Sequence, residues 1–295
     1  MKENWTLIAA IYRLYQHSQF SMAGAVAFSF VVSLFPFCIL LGSLAGILGG
    51  RELADVTVTK LFQVLPESVA QGLVPQVEEI MTKSRIDLLT IGGAITLFFA
   101  TSAIETLRAA LNFAYRVTEQ RPYIICLLSS MLHVFVTAIV LLILTSTTVV
   151  VPTLAAQFNS PDLQAFLDSA WVQSGLLYVV VAIIIAGQLF AAHLYLAAGR
   201  RTFREVWPGI ALTVVLWLAA ASAYSYYLSF SNYSRFYAGL SQLMVALIFF
   251  QLTAVVIILG AELNRGLIEL RKLRDGHHGQ PDNHHPAHTS PAPGA

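Results

Sequence analysis

Six apolar stretches, each long enough to cross a bilayer, fill most of the 295 residues, and the charged residues fall almost entirely between them. A hydrocarbon core about 30 Å thick takes roughly 20 residues of helix, and without water the backbone there must satisfy its own hydrogen bonds. The pattern predicts an all-α polytopic membrane protein, a bundle of six transmembrane helices. Composition agrees: 11% of residues are charged, against about 25% in an ordinary soluble domain, while 57% are hydrophobic and the mean hydropathy is +0.69. Cys38 and Cys126 lie in or beside apolar segments and suggest neither a disulfide framework nor a cysteine metal site.

The charge-free runs lie near residues 23–49, 88–104, 124–151, 171–196, 207–230 and 239–261. Residues 1–22 carry polar groups throughout, with Trp5, Ile8, Ile11, Tyr12 and Tyr15 at helical spacing, and read as an interfacial lead-in helix before a six-helix domain over 23–270. With the N-terminus inside, twelve Lys and Arg fall on the inner side and five on the outer, which predicts both termini in the cytoplasm. The first outer loop, 51–87, holds Leu53, Leu61, Val64, Leu65, Val69, Leu73 and Val74 among six acidic residues. It reads as a cap of short amphipathic helices broken near Pro66 and Pro75. Residues 271–295, rich in His, Pro and Gly, read as a disordered cytoplasmic tail. Its five histidines lack a defined ligand spacing, so neither a metal site nor a cofactor is expected.

Within span one, Pro36 should kink the helix, and Gly42, Gly46 and Gly50 at i, i+4, i+8 should admit a close neighbour. Past the inner end of span two, Glu105, Arg108, Asn112, Tyr115 and Glu119 are spaced 3, 4, 3 and 4. A continuous helix would put all five on one face. Charge is costly in a membrane helix, so this face is expected to line a cavity open to the cytoplasm, or else to belong to a helix that has already left the membrane. Span six ends in Gly260-Ala261-Glu262-Leu263-Asn264, with Glu262 three turns after Gln251 on the same face. Glu262 is expected to pair with Arg108 and clamp spans two and six together. His133 and Gln188 near mid-membrane, with His193 deeper toward the inside, suggest either a proton relay or plain helix packing. Packing is favoured because no mid-membrane carboxylate accompanies them. Arg200, Arg201 and Arg204, with Arg116 and Arg121, are candidates for anionic-lipid contacts, although such clusters more often only set topology. Tyr224, Tyr226, Tyr227, Tyr233 and Tyr237 read as an interfacial aromatic belt.

Four separated motifs, Ser33-Leu34-Phe35-Pro36, Asn112 to Val117 followed by Glu119, Arg121 and Pro122, Arg204 to Gly209, and Gly260 to Asn264, resemble the YihY/virulence factor BrkB family. The resemblance covers about residues 19–269 and implies six membrane helices in a bacterial inner membrane. Three details depart from the family's pattern: Tyr237-Ala238-Gly239 stands before span six, Phe249-Phe250-Gln251 within it, and Ala198-Gly199 before the basic loop. The historical family label of ribonuclease BN implies tRNA processing. Nothing in the chain supports it: there is no soluble domain, metal-ligand cluster or basic face interleaved with aromatics, so no nucleic acid partner is expected.

Three functions compete. A transporter or lipid-handling protein of the cell envelope is favoured by the kinked first span, the polar face and the basic rim, with membrane lipids or an anionic or amphipathic substrate as partners. A non-catalytic scaffold for envelope machinery would use the same polar residues only to pack helices. An intramembrane enzyme ranks last, since the chain offers no convincing nucleophile and base, and no catalytic residue is assigned. Oligomeric state, substrate and coupling ion are not specified by any of these features.

Overall fold

In a computed structural model, the protein is described over residues 19–62, 67, 69–70, 73–74, 91–157, 177–230 and 241–278. Six long helices account for nearly all of these: α1 (Gln19–Phe62), α2 (Ile91–Tyr115), α3 (Tyr123–Gln157), α4 (Leu177–Ala191), α5 (Phe203–Phe230) and α6 (Ser241–His278). A π-helical turn, Ala192–Leu196, extends α4. Four segments are long and apolar enough to cross a bilayer, namely Phe20–Ile47, Tyr123–Leu144, Phe203–Phe230 and Leu243–Arg274. Ile183–Leu196 is apolar but shorter, and α2 carries Glu105 and Arg108. The all-helical membrane architecture is therefore as expected, with four of the six expected spans meeting that measure among the described residues.

Helices α1 and α2 run antiparallel, as do α5 and α6. Ser29 meets Thr106 at 2.9 Å and the Ser33 hydroxyl donates to the Phe99 carbonyl at 2.7 Å, which fixes α1 against α2. Trp217 Nε1 donates to Thr253 at 3.2 Å and the Tyr224 hydroxyl to the Val245 carbonyl at 2.9 Å, which fixes α5 against α6. Helices α1, α2 and α6 form the centre, where Ala23, Val26, Leu107, Ala110, Leu111, Ala254, Ile258 and Ala261 are buried together. The outward faces display Phe28, Phe98, Leu132, Ile143, Ile183 and Leu218. A bundle that shows such side chains on its outside has hydrocarbon as its solvent.

Three expectations change. Helix α1 does not stop near residue 49 but continues through Phe62, so the first part of the expected outer cap is a direct extension of the membrane helix. Gly50 does not break it, the next 12 residues contain no Gly or Pro, and Val58 and Phe62 are buried against Val69, Leu73, Tyr224 and Phe249. Tyr224 thus belongs to an interior cluster, whereas Tyr226 and Tyr227 are exposed as a belt requires. Helix α6 likewise runs through His278, so the first eight residues of the expected disordered tail are helical. Leu270, Arg271, Lys272, Leu273 and Arg274 are good helix formers that simply continue the preceding turns. The expected lead-in helix over 1–18, the rest of the tail and Pro66 and Pro75 lie outside the described residues.

The third change concerns glycine. Of the span-one series, Gly42 is buried, but Gly46 is exposed and a Cβ on it would meet nothing within 4 Å, so no neighbour approaches at that position. The close approach is between α5 and α6. A Cβ on Gly209 would lie 2.1 Å from the Gly260 carbonyl oxygen, and one on Gly260 would lie 2.1 Å from Thr213 Oγ1 and 2.6 Å from the Gly209 carbonyl oxygen. Only hydrogen fits at either position. We predict that Gly209→Ala and Gly260→Ala each force the helices apart at a cost of about 1–3 kcal/mol or more. Gly46→Ala should be neutral or slightly stabilising through helix propensity. Thermal-shift chromatography in detergent checks this, and equal behaviour of all three variants would refute the assigned crossing.

Candidate functional site: a buried charged belt at one end of the bundle

The polar groups gather where α2 ends. Helix α2 stops at Tyr115 because Arg116 takes a left-handed conformation, with φ 53°. The Arg116 N–H then donates to the Phe113 carbonyl and the Val117 N–H to the Asn112 carbonyl, each at 3.0 Å, the 5→2 and 6→1 pair that closes a helix C-terminus. The chain doubles back. Glu119 is therefore not on the same helix as Glu105, Arg108 and Asn112, as its spacing suggests, yet the reversal returns its carboxylate to their face. Arg108 Nη1 and Asn112 Nδ2 both donate to Glu119 Oε2 at 3.1 Å.

Glu119 is the hub of this belt. Arg121 grips it with two parallel bonds, Nε to Oε1 and Nη2 to Oε2, each 2.8 Å, and adds its backbone N–H at 3.2 Å. Charge-assisted forks of this kind are the strongest hydrogen bonds a carboxylate forms. Foremost through the Arg121 side chain, they hold the Glu119 carboxyl well below the usual carboxylate range, against the opposing effect of burial. Reciprocally, Glu119 raises Arg121 above its ordinary value. On the other side of Arg108, Glu105 takes a second ion pair and also accepts from Ser130 on α3. Arg108 is only 9% exposed, so two carboxylates answer a guanidinium almost removed from water.

The same arginines close the end of α4. A helix terminus leaves its last carbonyls without donors, and here the terminus is buried. Arg121 donates to the Tyr195 carbonyl at 3.1 Å and the Leu196 carbonyl at 2.7 Å. Arg201 donates to the His193 carbonyl at 3.2 Å and the Ala198 carbonyl at 2.6 Å, while its guanidinium lies 3.6 Å over the Tyr115 ring. Burial lowers the Arg201 pKa from its ordinary value. Asn112 Oδ1 accepts the Ala198 N–H at 2.6 Å and ties the loop down. Arg121 and Arg201 are thus committed to protein carbonyls, which their expected role as lipid contacts did not foresee; Arg116, Arg200 and Arg204 are exposed.

The third part comes from α6. Asn264 reaches into the backbone of α5, accepting the Gly209 N–H at 2.6 Å and donating to the Val206 carbonyl at 2.8 Å. Its amide also lies 3.4 Å from the Tyr115 hydroxyl, which meets His193 Nδ1 at 2.6 Å. The expected clamp between Glu262 and Arg108 is not formed: Glu262 pairs with Arg265 one turn away at 3.3 Å, and Arg265 reaches on to Glu269. The physical reason is proximity, since Arg108 already has carboxylates 3 and 11 positions away on its own segment. Gln251, three turns before Glu262 on the continuous α6, meets α1, donating to the Phe20 carbonyl at 3.3 Å. Pro36 sits inside a helix that continues past it. His133 is partly buried and its neighbour Thr137 lies 3.1 Å from Gln188, a helix-packing contact. Among the described residues, no group of three His, Cys, Asp or Glu is placed to hold a metal ion.

Sequence reasoning overlooked Ser130 and Arg265 as members of this belt. It singles out His193 only as a relay or packing residue, and Asn264 only as the last residue of a quoted motif. His193 is fully buried, and among the described residues neither its Nε2 nor Arg108 Nε has a hydrogen-bond partner.

An all-helical bundle with lipid-facing apolar sides and a charged belt at one end defines an integral membrane protein. The chain belongs to the virulence factor BrkB family, whose model matches residues 10–285. It is 30% identical to the ribonuclease-like protein YfkH of Bacillus subtilis (strain 168), over 88% of this chain and 94% of that one. It is 23% identical to UPF0761 membrane proteins of Xanthomonas axonopodis pv. citri (strain 306) and of Xanthomonas euvesicatoria pv. vesicatoria (strain 85-10). Each of those matches covers 85% of this chain and 58% of the relative, so the chain spans little more than half the length of these two. No solved structure matches the chain.

The Glu119 hub sets a pH dependence with a definite sign. Its native carboxyl titrates below the unfolded value of about 4.3, so its stabilisation is fully present above that value and is lost as pH falls through the native one. We predict that Glu119→Gln lowers stability by about 2–3 kcal/mol at neutral pH, because Arg108 and Arg121 lose a shared charge partner. The gap between variant and wild type should shrink as the medium is acidified below about pH 4. Melting temperature against pH for both proteins checks it; a gap that stays constant on acidification would remove the ionised hub.

Proposed function

We propose that the protein is a transporter or lipid-handling protein of the cell envelope, set in the bacterial inner membrane with both termini in the cytoplasm. In this reading the charged belt is its cytoplasmic gate. The observation that carries it is the closure of one end of the bundle by ion pairs that cross a reversing loop, with Arg108 and Glu262 nearly removed from water. Burying charges is costly, and an apolar core of equal volume would hold helices together at least as well. Charges kept at such cost suit an end that opens, because each carboxylate and guanidinium regains water when the loop at 116–122 swings out. The opened end would expose Arg108, Asn112, Tyr115, Arg201 and Glu262 together, a polar lining that fits the headgroup of an anionic or amphipathic substrate.

The orientation is supported by the distribution of Lys and Arg, twelve inside against five outside. We read the protein as working without covalent catalysis and without a nucleic acid partner. The ribonuclease-like name belongs to the Bacillus relative and is not carried over to this chain. A scaffold for envelope machinery is the second reading, since the same contacts would also make a rigid end.

Mass spectrometry of ligands retained by the purified wild type and by Arg108→Gln separates the two. A transporter or lipid handler should retain a defined amphipathic or anionic species, and the variant should lose at least several-fold of it. Identical, non-selective lipid in both would favour the scaffold.

A further inference from the structure

A second charged surface lies at the same end, on the outside of the bundle and separate from the belt. It is built where the first turn of α5 meets the last turns of α6. Arg271 Nη1 donates to the Arg204 carbonyl at 3.3 Å, which fixes the two helices side by side. That carbonyl is open because Pro208, four residues on, has no N–H to give it. Arg204, Arg271 and Lys272 are exposed there, as are Arg200 and Arg274 about a turn away along the chain. Glu205 accepts from the Thr202 N–H at 2.6 Å and its hydroxyl at 2.9 Å and keeps its charge within reach of Arg271 and Lys272, while Glu269 pairs with Arg265. Among the described residues the cations outnumber the Glu205 carboxylate, and the surface is net positive.

Its aromatic partners tell where this charge sits. Phe203 and Trp207, 59% and 52% exposed, are one turn apart on α5 and flank Arg204. Phe203 stacks flat on Phe190 of α4, with centroids 4.1 Å apart, which holds it at the start of the apolar span. Exposed Leu270 and Leu273 alternate with the α6 cations. A tryptophan beside arginines at the end of an apolar span marks the headgroup level, where rings lie in the acyl boundary and guanidiniums lie at the phosphates. Cations that only set topology need no such arrangement; they need only be on the correct side.

We infer that the face formed by Arg200, Arg204, Arg271 and Lys272, flanked by Trp207 and Phe203, is a docking surface for the phosphate headgroups of anionic phospholipids in the surrounding leaflet. The planar fork of arginine suits a phosphodiester, and two helices supplying cations favour a headgroup that keeps its net negative charge over a zwitterion that neutralises it. The surface stands whether or not the belt gates transport.

The test uses the full chain in nanodiscs of phosphatidylcholine with an added fraction of phosphatidylglycerol, read by native mass spectrometry of the lipids that stay bound. Wild type should enrich phosphatidylglycerol several-fold over its share of the disc. Arg204→Gln/Arg271→Gln/Lys272→Gln should lose that enrichment, while Lys60→Gln, in the last turn of α1 at the opposite end of the bundle, should keep it. Should the triple variant fail to fold, Arg200→Gln/Lys272→Gln leaves the Arg271 contact intact and should still reduce enrichment at least twofold. Added salt should weaken the enrichment, and excess inorganic phosphate should not displace the lipid at matched ionic strength. The proposal is overturned if wild type shows no preference, if the folded surface variants enrich as wild type does, if Lys60→Gln loses as much, or if inorganic phosphate displaces the lipid.

Discussion

The carboxylate of Glu119 holds one end of this molecule together. Five donors from three residues converge on its two oxygens, and two of those residues are on α2 while the third, Arg121, also caps α4. Through that one group, the end of α2, the reversing loop and the buried terminus of α4 are a single unit. Removing the charge would not only break an ion pair; it would leave Arg108 with Glu105 alone and loosen the arginine that satisfies the Tyr195 and Leu196 carbonyls.

The belt depends equally on a contact made without charge. Gly209 and Gly260 bring the α5 and α6 backbones so close that Asn264 can bond directly into the α5 backbone. In hydrocarbon, helices gain nothing from merely hiding apolar surface from one another, so close packing and interhelical hydrogen bonds must carry the association. The glycine pair supplies the first and Asn264 the second. With α6 so placed, its amide meets Tyr115, and Tyr115 meets His193 and Arg201. Three of the four short motifs, all but Ser33 to Pro36, thus include residues that meet at one end of the bundle.

How much of this was legible beforehand differs by residue. The polar character of Glu105, Arg108 and Asn112 at one end of span two follows from spacing, because neighbours three and four apart share a helix face. Glu119 fits the same arithmetic for the wrong reason: it reaches that face through a turn, set by a left-handed Arg116 that no local pattern announces. The pairing of Glu262 with Arg108 looked reasonable from depth alone, yet each found a partner within its own segment. The span-one glycines suggested a close approach, but Gly46 faces open space while single glycines on α5 and α6 touch. A glycine records that a side chain is absent and says nothing of which helix uses the gap.

What the sequence by itself determined is the solvent and the class of fold: runs of uncharged residues long enough to cross hydrocarbon force helices, because the backbone there must satisfy its own hydrogen bonds. What only the tertiary structure decided is who meets whom. The reach of α1 beyond residue 49, the π-helical turn that buries His193, the capping of α4 by Arg121 and Arg201, and the α5 to α6 crossing all arise from contacts between segments distant in the chain. Periodicity reports which way a residue faces on its own helix. Partners across the bundle are selected by distances of a few ångströms, which exist only once the helices have packed.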